Sequence, residues 1–122
     1  MKTQASAVAV PARVTRLSEL SAPRQALVHL CQSIDYGQVV GLLVRDGEPV
    51  FSPVPTIIQD IKLDSERNGR LESELGDFAL RGEVCRLLAL MDGLEGRVDR
   101  IEVRAGIPRR VVIERCISEA PL

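Results

Sequence analysis

Gly37-Gln38-Val39-Val40-Gly41-Leu42-Leu43-Val44-Arg45-Asp46-Gly47-Glu48-Pro49 is the stretch on which the fold turns. Asp46-Gly47 lies between two apolar runs, and Asp-Gly suits the positive φ angles of a tight hairpin. Strands over about 39–45 and 48–52 follow. Pro49, Pro53 and Pro55 lack a ladder donor, which places the second strand at a sheet edge or ends it early.

Residues 96–108 lie over residues 37–49 without a gap. The identical pairs are Gly37/Gly96, Val39/Val98, Val44/Val103, Arg45/Arg104, Gly47/Gly106 and Pro49/Pro108, with Leu42/Ile101 conservative. Both stretches follow a helical pattern. Two readings stand: a duplicated helix-plus-hairpin unit forming a pseudo-twofold domain, or two hairpins that converged on the same turn chemistry.

The apolar positions suggest a register. A three-residue loop, Arg104-Ala105-Gly106, with glycine in a left-handed bulge, pairs Val103 with Ile107 and Ile101 with Arg109. Ile101, Val103, Ile107, Val111 and Ile113 then share one face. The same register in the first hairpin aligns Val40, Leu42, Val44, Val50 and Val54. A slip of one residue would turn either set inside out.

Working outward, Ser21-Ala22-Pro23 combines a capping hydroxyl with a first-turn proline. Ala26, Leu27, Leu30, Cys31 and Ile34 continue at helical spacing, so a helix is expected over about 22–35. Ile57, Ile61 and Leu63 alternate with Ile58, Asp60 and Lys62, the pattern of a half-buried third strand over 56–64. A longer helix is expected over about 72–92, its apolar arc running from Leu75 through Phe78, Leu80, Val84, Leu87 and Leu88 to Met91. A last hairpin of 98–104 and 107–116 completes the chain.

The fold is therefore read as α+β, in the order α-β-β-β-α-β-β. A mostly antiparallel sheet of about five strands carries two helices on one face. Residues 1–20 read as an N-terminal arm, 21–117 as one domain and 118–122 as a tail. The 122 residues suffice for one core without staples. A hydrophobic content of 45%, a charged content of 27% and a net charge of −1 exclude a disordered acidic chain and a histone-like basic binder. The short, Ala-rich apolar run before Pro11 is a poor export signal, and no run is long enough for a membrane helix. A cytoplasmic location is the expectation.

Chemistry is sparsely marked. Cys31, Cys85 and Cys116 are dispersed and odd in number, which argues against a disulfide framework. His29, the single histidine, lies on the opposite side of its helix from Cys31, so the two cannot share a metal, and no other ligand cluster appears. No nucleophile elbow or phosphate loop occurs. Cys116 beside Arg115 reads as packing, and the carboxylate pairs Glu72/Glu74 and Asp60/Asp64 read as solvated. No catalytic, cofactor or metal residue is assigned, and the chain is expected not to be an enzyme.

Residues 96–116 carry six arginines against Asp99, Glu102 and Glu114. Arg100, Arg104 and Arg110 are the candidates for contacting a nucleic acid or phosphoanion. Glu102 and Glu114 share their face, and Tyr36, Phe51 and Phe78 are the only aromatics. A solvated, internally paired face therefore ranks ahead of a nucleic-acid face. Leu43, on the face opposite the first hairpin's core, and Val50 are the candidates for contact with a protein partner or a second copy. The function expected is a small non-enzymatic interaction or adaptor domain acting through an exposed sheet face and self-associating. Anion binding through the last hairpin is the alternative, and an enzyme whose site the sequence does not reveal ranks third.

Overall fold

The computed structural model describes residues 15–64 and 77–114. After a single 3-10 turn, Leu17–Glu19, the elements are α1 (Ala22–Ile34), β1 (Tyr36–Arg45), β2 (Glu48–Val50), β3 (Thr56–Gln59), α2 (Gly82–Asp92), β4 (Gly96–Arg104) and β5 (Ile107–Val112). One antiparallel sheet runs β2-β1-β4-β5, and β3 pairs with β1 beside β2. This is the expected α+β order. Both helices contribute to one buried cluster with Val39, Leu42, Val44, Val98, Ile101 and Val103. Burying an aliphatic side chain contributes about 1.5–3 kcal/mol, so this layer is what holds helices to sheet.

Both hairpins close with two-residue turns, not the three-residue loop expected. Asp46 and Gly47 have φ of 55° and 78°, and Ala105 and Gly106 have 55° and 77°. Positive φ at both central residues is the turn whose twist matches that of the strands. Arg45 therefore pairs with Glu48 and Val44 with Pro49. Pro49 turns inward and is buried, while Val50 turns outward. Val54, expected in the core, is 77% exposed.

In the second hairpin Val103 pairs with Pro108 and Ile101 with Val111, in place of Ile107 and Arg109. A bulge opposite Glu102/Val103 resets the phase beyond the turn. Val111 thereby packs against the core as expected, by a different route.

Val39, not Val40, is buried. Gly41, with φ of 79°, breaks the alternation, so counting back by twos from Leu42 reaches the wrong side. Level with it on β4, burial likewise passes from Val98 to Ile101 across the partly exposed Asp99 and Arg100.

Helix α1 starts where expected: Ser21 Oγ accepts from Arg24 N–H at 3.3 Å. Helix α2 starts at Gly82, ten residues later than the apolar pattern suggested. Leu80 N–H donates to Thr15 C=O at 2.8 Å and Leu17 N–H to Phe78 C=O at 2.9 Å. The segments leading into the two helices thus satisfy each other's backbone in extended form. Leu17 is 1% exposed, so the packed body begins before residue 20. Leu75 and the other residues of 72–76, residues 1–14 and 115–122 lie outside those described.

The third strand is shorter than expected, and all four of its residues are exposed. Gly37 lets it approach. A Cβ there would sit 2.0 Å from the Ile58 carbonyl oxygen.

The order α2-β4-β5 is the same as α1-β1-β2, while β3 has no counterpart after β5 among the described residues. The strands correspond at the offset already seen in the sequence, with Val39/Val98, Leu42/Ile101 and Val44/Val103 all buried. The helices correspond at an offset one residue longer, which matches the N-caps Ser21/Arg81 and the buried pairs Leu27/Leu87, Val28/Leu88 and Cys31/Met91. Antiparallel pairing sets β1 against β4 over Tyr36–Val44 and Gly96–Arg104.

Candidate functional site

The arginines of the last hairpin are largely spoken for. Arg100 Nε donates to Glu102 Oε2 at 3.3 Å, and Arg110 Nη1 lies 4.0 Å from Glu102 Oε1. Glu102 and Arg110 are cross-strand partners, so one carboxylate stands between two of the three candidate arginines. Arg97 lies 4.0 Å from Asp99. Arg109, the residue displaced by the bulge, reaches Glu83 of α2 at 3.3 Å. Arg104 is exposed at the end of β4, level with Tyr36 of β1. The structure brings Arg100 and Arg110 together and sets the Glu102 carboxylate between them. Glu114 is exposed.

Leu43 and Val50 are direct cross-strand partners on the sheet face away from the helices, and both are half-buried. Their row continues to Arg97 across β1 and β4. The stronger apolar exposure lies elsewhere. Ile58 is 49% exposed, Ile61 67% and Leu63 94%. With Val54 and Ile57 they form a run along β3 and its continuation, at an edge of the sheet. The alternating pattern of this segment suggested a buried face, which is why the sequence reading missed it. The flanking prolines and the interleaved Asp60 and Lys62 were the available signals.

Each hairpin turn is held against the helices, and the two fastenings differ. In the first unit the Arg24 guanidinium donates to Gly47 C=O at 2.7 Å and to Asp92 Oδ1 at 2.6 Å, and lies 3.9 Å from Glu48. Glu48 in turn accepts from Ser21 Oγ at 2.6 Å. In the second unit Gly106 N–H donates to Asp35 C=O at 2.8 Å. Beside that turn, between the helices, lies a small cavity of about 20 Å³. Gln32 and Cys31 of α1 border it. The Gln32 Oε1 atom is buried and has no hydrogen-bond partner among the described residues. Burial pushes the Cys31 thiol up to about 12, so it is protonated at neutral pH and unsuited to nucleophilic attack.

A third fastening joins the segments that precede the helices. Asp77 accepts from Arg16 Nε at 2.9 Å, from Ser18 N–H at 2.9 Å and from Ser18 Oγ at 3.0 Å. The Arg16 hydrogen bond, then those from Ser18, hold its carboxyl at about 2, below the ordinary 3.8.

His29 is exposed on α1 while Cys31 is buried, so the two diverge as helical spacing requires. Cys85 is half-buried, Asp60 and Asp64 are exposed, and Glu72, Glu74, Arg115 and Cys116 lie outside the described residues. Among the described residues no group of three His, Cys, Asp or Glu could hold a metal ion, and no helix is long and apolar enough to cross a membrane. Comparison with protein-family models, with curated proteins and with solved structures finds no match.

Proposed function

We propose that the chain is a non-enzymatic interaction domain that associates through β3 and its continuation to Leu63, and that its partner there is a second copy of itself. The supporting observation is the clustering of exposed aliphatic side chains: among the described residues, five of the six large exposed apolar ones, Val54, Ile57, Ile58, Ile61 and Leu63, fall on this one edge segment. An edge strand with unpaired backbone groups and apolar side chains is a template for further pairing. Among the described residues, β3 pairs with β1 alone.

Charge favours a second copy. Asp60 and Lys62 flank Ile61. Antiparallel pairing centred on Ile61 sets Asp60 against the partner's Lys62 and Lys62 against the partner's Asp60, with Ile61 against the partner's Ile61. Opposite charges directly across a strand pair contribute about 0.2–1 kcal/mol each, and like charges oppose pairing by a similar amount. The half-buried Leu43 and Val50 then belong to the adjoining sheet face. The anion-binding alternative ranks lower, since Glu102 offsets Arg100 and Arg110.

Light scattering across concentration, with circular dichroism to verify folding, tests this reading. A concentration-dependent dimer is expected for the natural chain. Asp60→Lys and Lys62→Asp should each weaken it roughly tenfold, since two symmetric pairs become repulsive. The double reversal, D60K with K62D, should restore it. A natural chain that stays monomeric at high concentration, or a double variant as weak as the singles, overturns the proposal.

A further inference from the structure

We infer that the outer flank of β4 at Gly96–Asp99 is a docking site for an extended segment, and that its occupant is the chain's own residues 115–118. The site requires no second copy at β3. The outer flanks of the two long strands, set side by side, point to it.

β1 is covered on both flanks. β4 runs along one of them, and on the other β2 takes Leu43–Arg45 while β3 takes Gly37–Val40. β4 is covered unevenly. Its ladder with β5 runs from Arg104 to Arg100, where Val112 is the last partner, yet β4 continues for four more residues to Gly96. Ile113 and Glu114 do not extend that ladder. Gly96 and Arg97 are exposed, whereas Gly37 and Gln38 at the matching places on β1 are half-buried. A strand flank left bare in this way is open to any extended chain that reaches it.

The next residues of the chain fit that flank. The offset that sets Gly37–Pro49 over Gly96–Pro108 also sets β3, Thr56–Gln59, over Arg115–Ser118. Ile58 falls on Ile117, and farther along Asp60 falls on Glu119 and Leu63 on Leu122. Transferred at that offset, the β3 register pairs Gly96 with Ser118, Arg97 with Ile117, Val98 with Cys116 and Asp99 with Arg115. Charge agrees with this register. Among the described residues the one ion pair of Asp99 is to Arg97 at 4.0 Å, and Arg115 stands directly across from it. Gly96 presents no Cβ to the Ile117 carbonyl, as Gly37 presents none to that of Ile58. Reach is ample. The three residue steps from Val112 to Arg115 span up to about 10 Å, and neighbouring places on a strand are about 3.4 Å apart. Docking within one chain closes the flank to strands from other chains.

The test is NMR on the isotopically labelled full chain. Backbone proton contacts between Arg97 and Ile117 are expected. The Ile117 and Glu119 amides should exchange at least tenfold more slowly than those of an unstructured chain, since their counterpart in β3, the Asp60 N–H, donates to Tyr36 C=O at 2.7 Å. Asp99→Arg should cut that protection at least fivefold, and adding Arg115→Asp should restore it. Gly96→Ala, which sets a methyl in the path of the Ile117 carbonyl, should abolish it. In a mixture of labelled and unlabelled chains the contacts should stay within one chain. Unprotected amides over 115–119, contacts of Arg97 with Arg115 in place of Ile117, a double variant no better protected than D99R, or contacts between chains overturns the inference.

Discussion

The two helix-hairpin units bury corresponding residues on the sheet and fasten their turns by opposite chemistry. The first uses an arginine with carboxylates and a turn carbonyl; the second uses a backbone hydrogen bond from Gly106 N–H to Asp35 C=O. The first also has β3 laid across the start of its central strand at Gly37. At the corresponding Gly96 an added Cβ would meet nothing within 4 Å. Backbone geometry is thus common to both halves, because turn chemistry and core faces dictate it. The surfaces around that frame are where the halves differ.

The comparison can be broken most severely at Gly37. Gly37→Ala drives a methyl into the Ile58 carbonyl and should cost about 3 kcal/mol in denaturant unfolding. It should also weaken self-association, because β3 is displaced. Gly96→Ala, with φ of 121° and no described residue in the way, should cost only about 1 kcal/mol from backbone strain, the terminal segment detaching at little cost.

Arg24→Ala comes next. It leaves the Gly47 carbonyl and Asp92 without their donor and should cost about 2 kcal/mol, read as a lower denaturation midpoint. Asp92 is 67% exposed and water takes over its share, so the cost comes mainly from the buried Gly47 carbonyl and the lost packing of the 15% exposed arginine side chain.

Acid sensitivity sharpens the contrast at the segments before the helices, where Leu17 of the first unit corresponds to Asp77 of the second. The Asp77 carboxyl is held below its ordinary value, so its contribution is complete above about pH 4 and is lost as pH falls from 3.8 towards 2. Asp77→Asn should therefore lower the unfolding midpoint at pH 6, and the gap to the natural chain should close by pH 2. Equal gaps at both pH values would show that the clamp does not act through its charge.

The smallest effect concerns the turns. Ala105 adopts φ of 55°, as Asp46 does in the first turn, but lacks the short polar side chain that eases that conformation. Ala105→Gly should stabilise the protein by about 0.5–1 kcal/mol, measured as a raised melting temperature.

The fold class was legible because Asp46-Gly47 and Ser21-Ala22-Pro23 are local signals that operate regardless of the rest of the chain. Register was not. One residue more or less in a turn moves Val50 from core to surface, and Gly41 resets the alternation without changing the apolar count. The start of α2 was misread because Phe78 and Leu80 fit a helical stripe while their backbone pairs with Thr15 and Leu17, residues distant in sequence. The candidate arginines lie on the solvent side, with Glu102 between Arg100 and Arg110. The exposed edge and the cavity escaped notice for a common reason. A strand with one free edge carries the same alternation as a covered one, and a void has no letter in the sequence.

The seam between β1 and β4 has a consequence for how the chain assembles. It pairs Tyr36–Val44 with Arg104–Gly96, so the middle of the sheet joins the two halves of the polypeptide. During synthesis the first helix and hairpin emerge with one flank of their longest strand unmatched, and that flank waits until Arg104 has left the ribosome. Long-range pairing of this kind is slow to nucleate. For that interval the nascent first half exposes a strand edge that its own sequel will later occupy, and a neighbouring nascent chain could occupy it first.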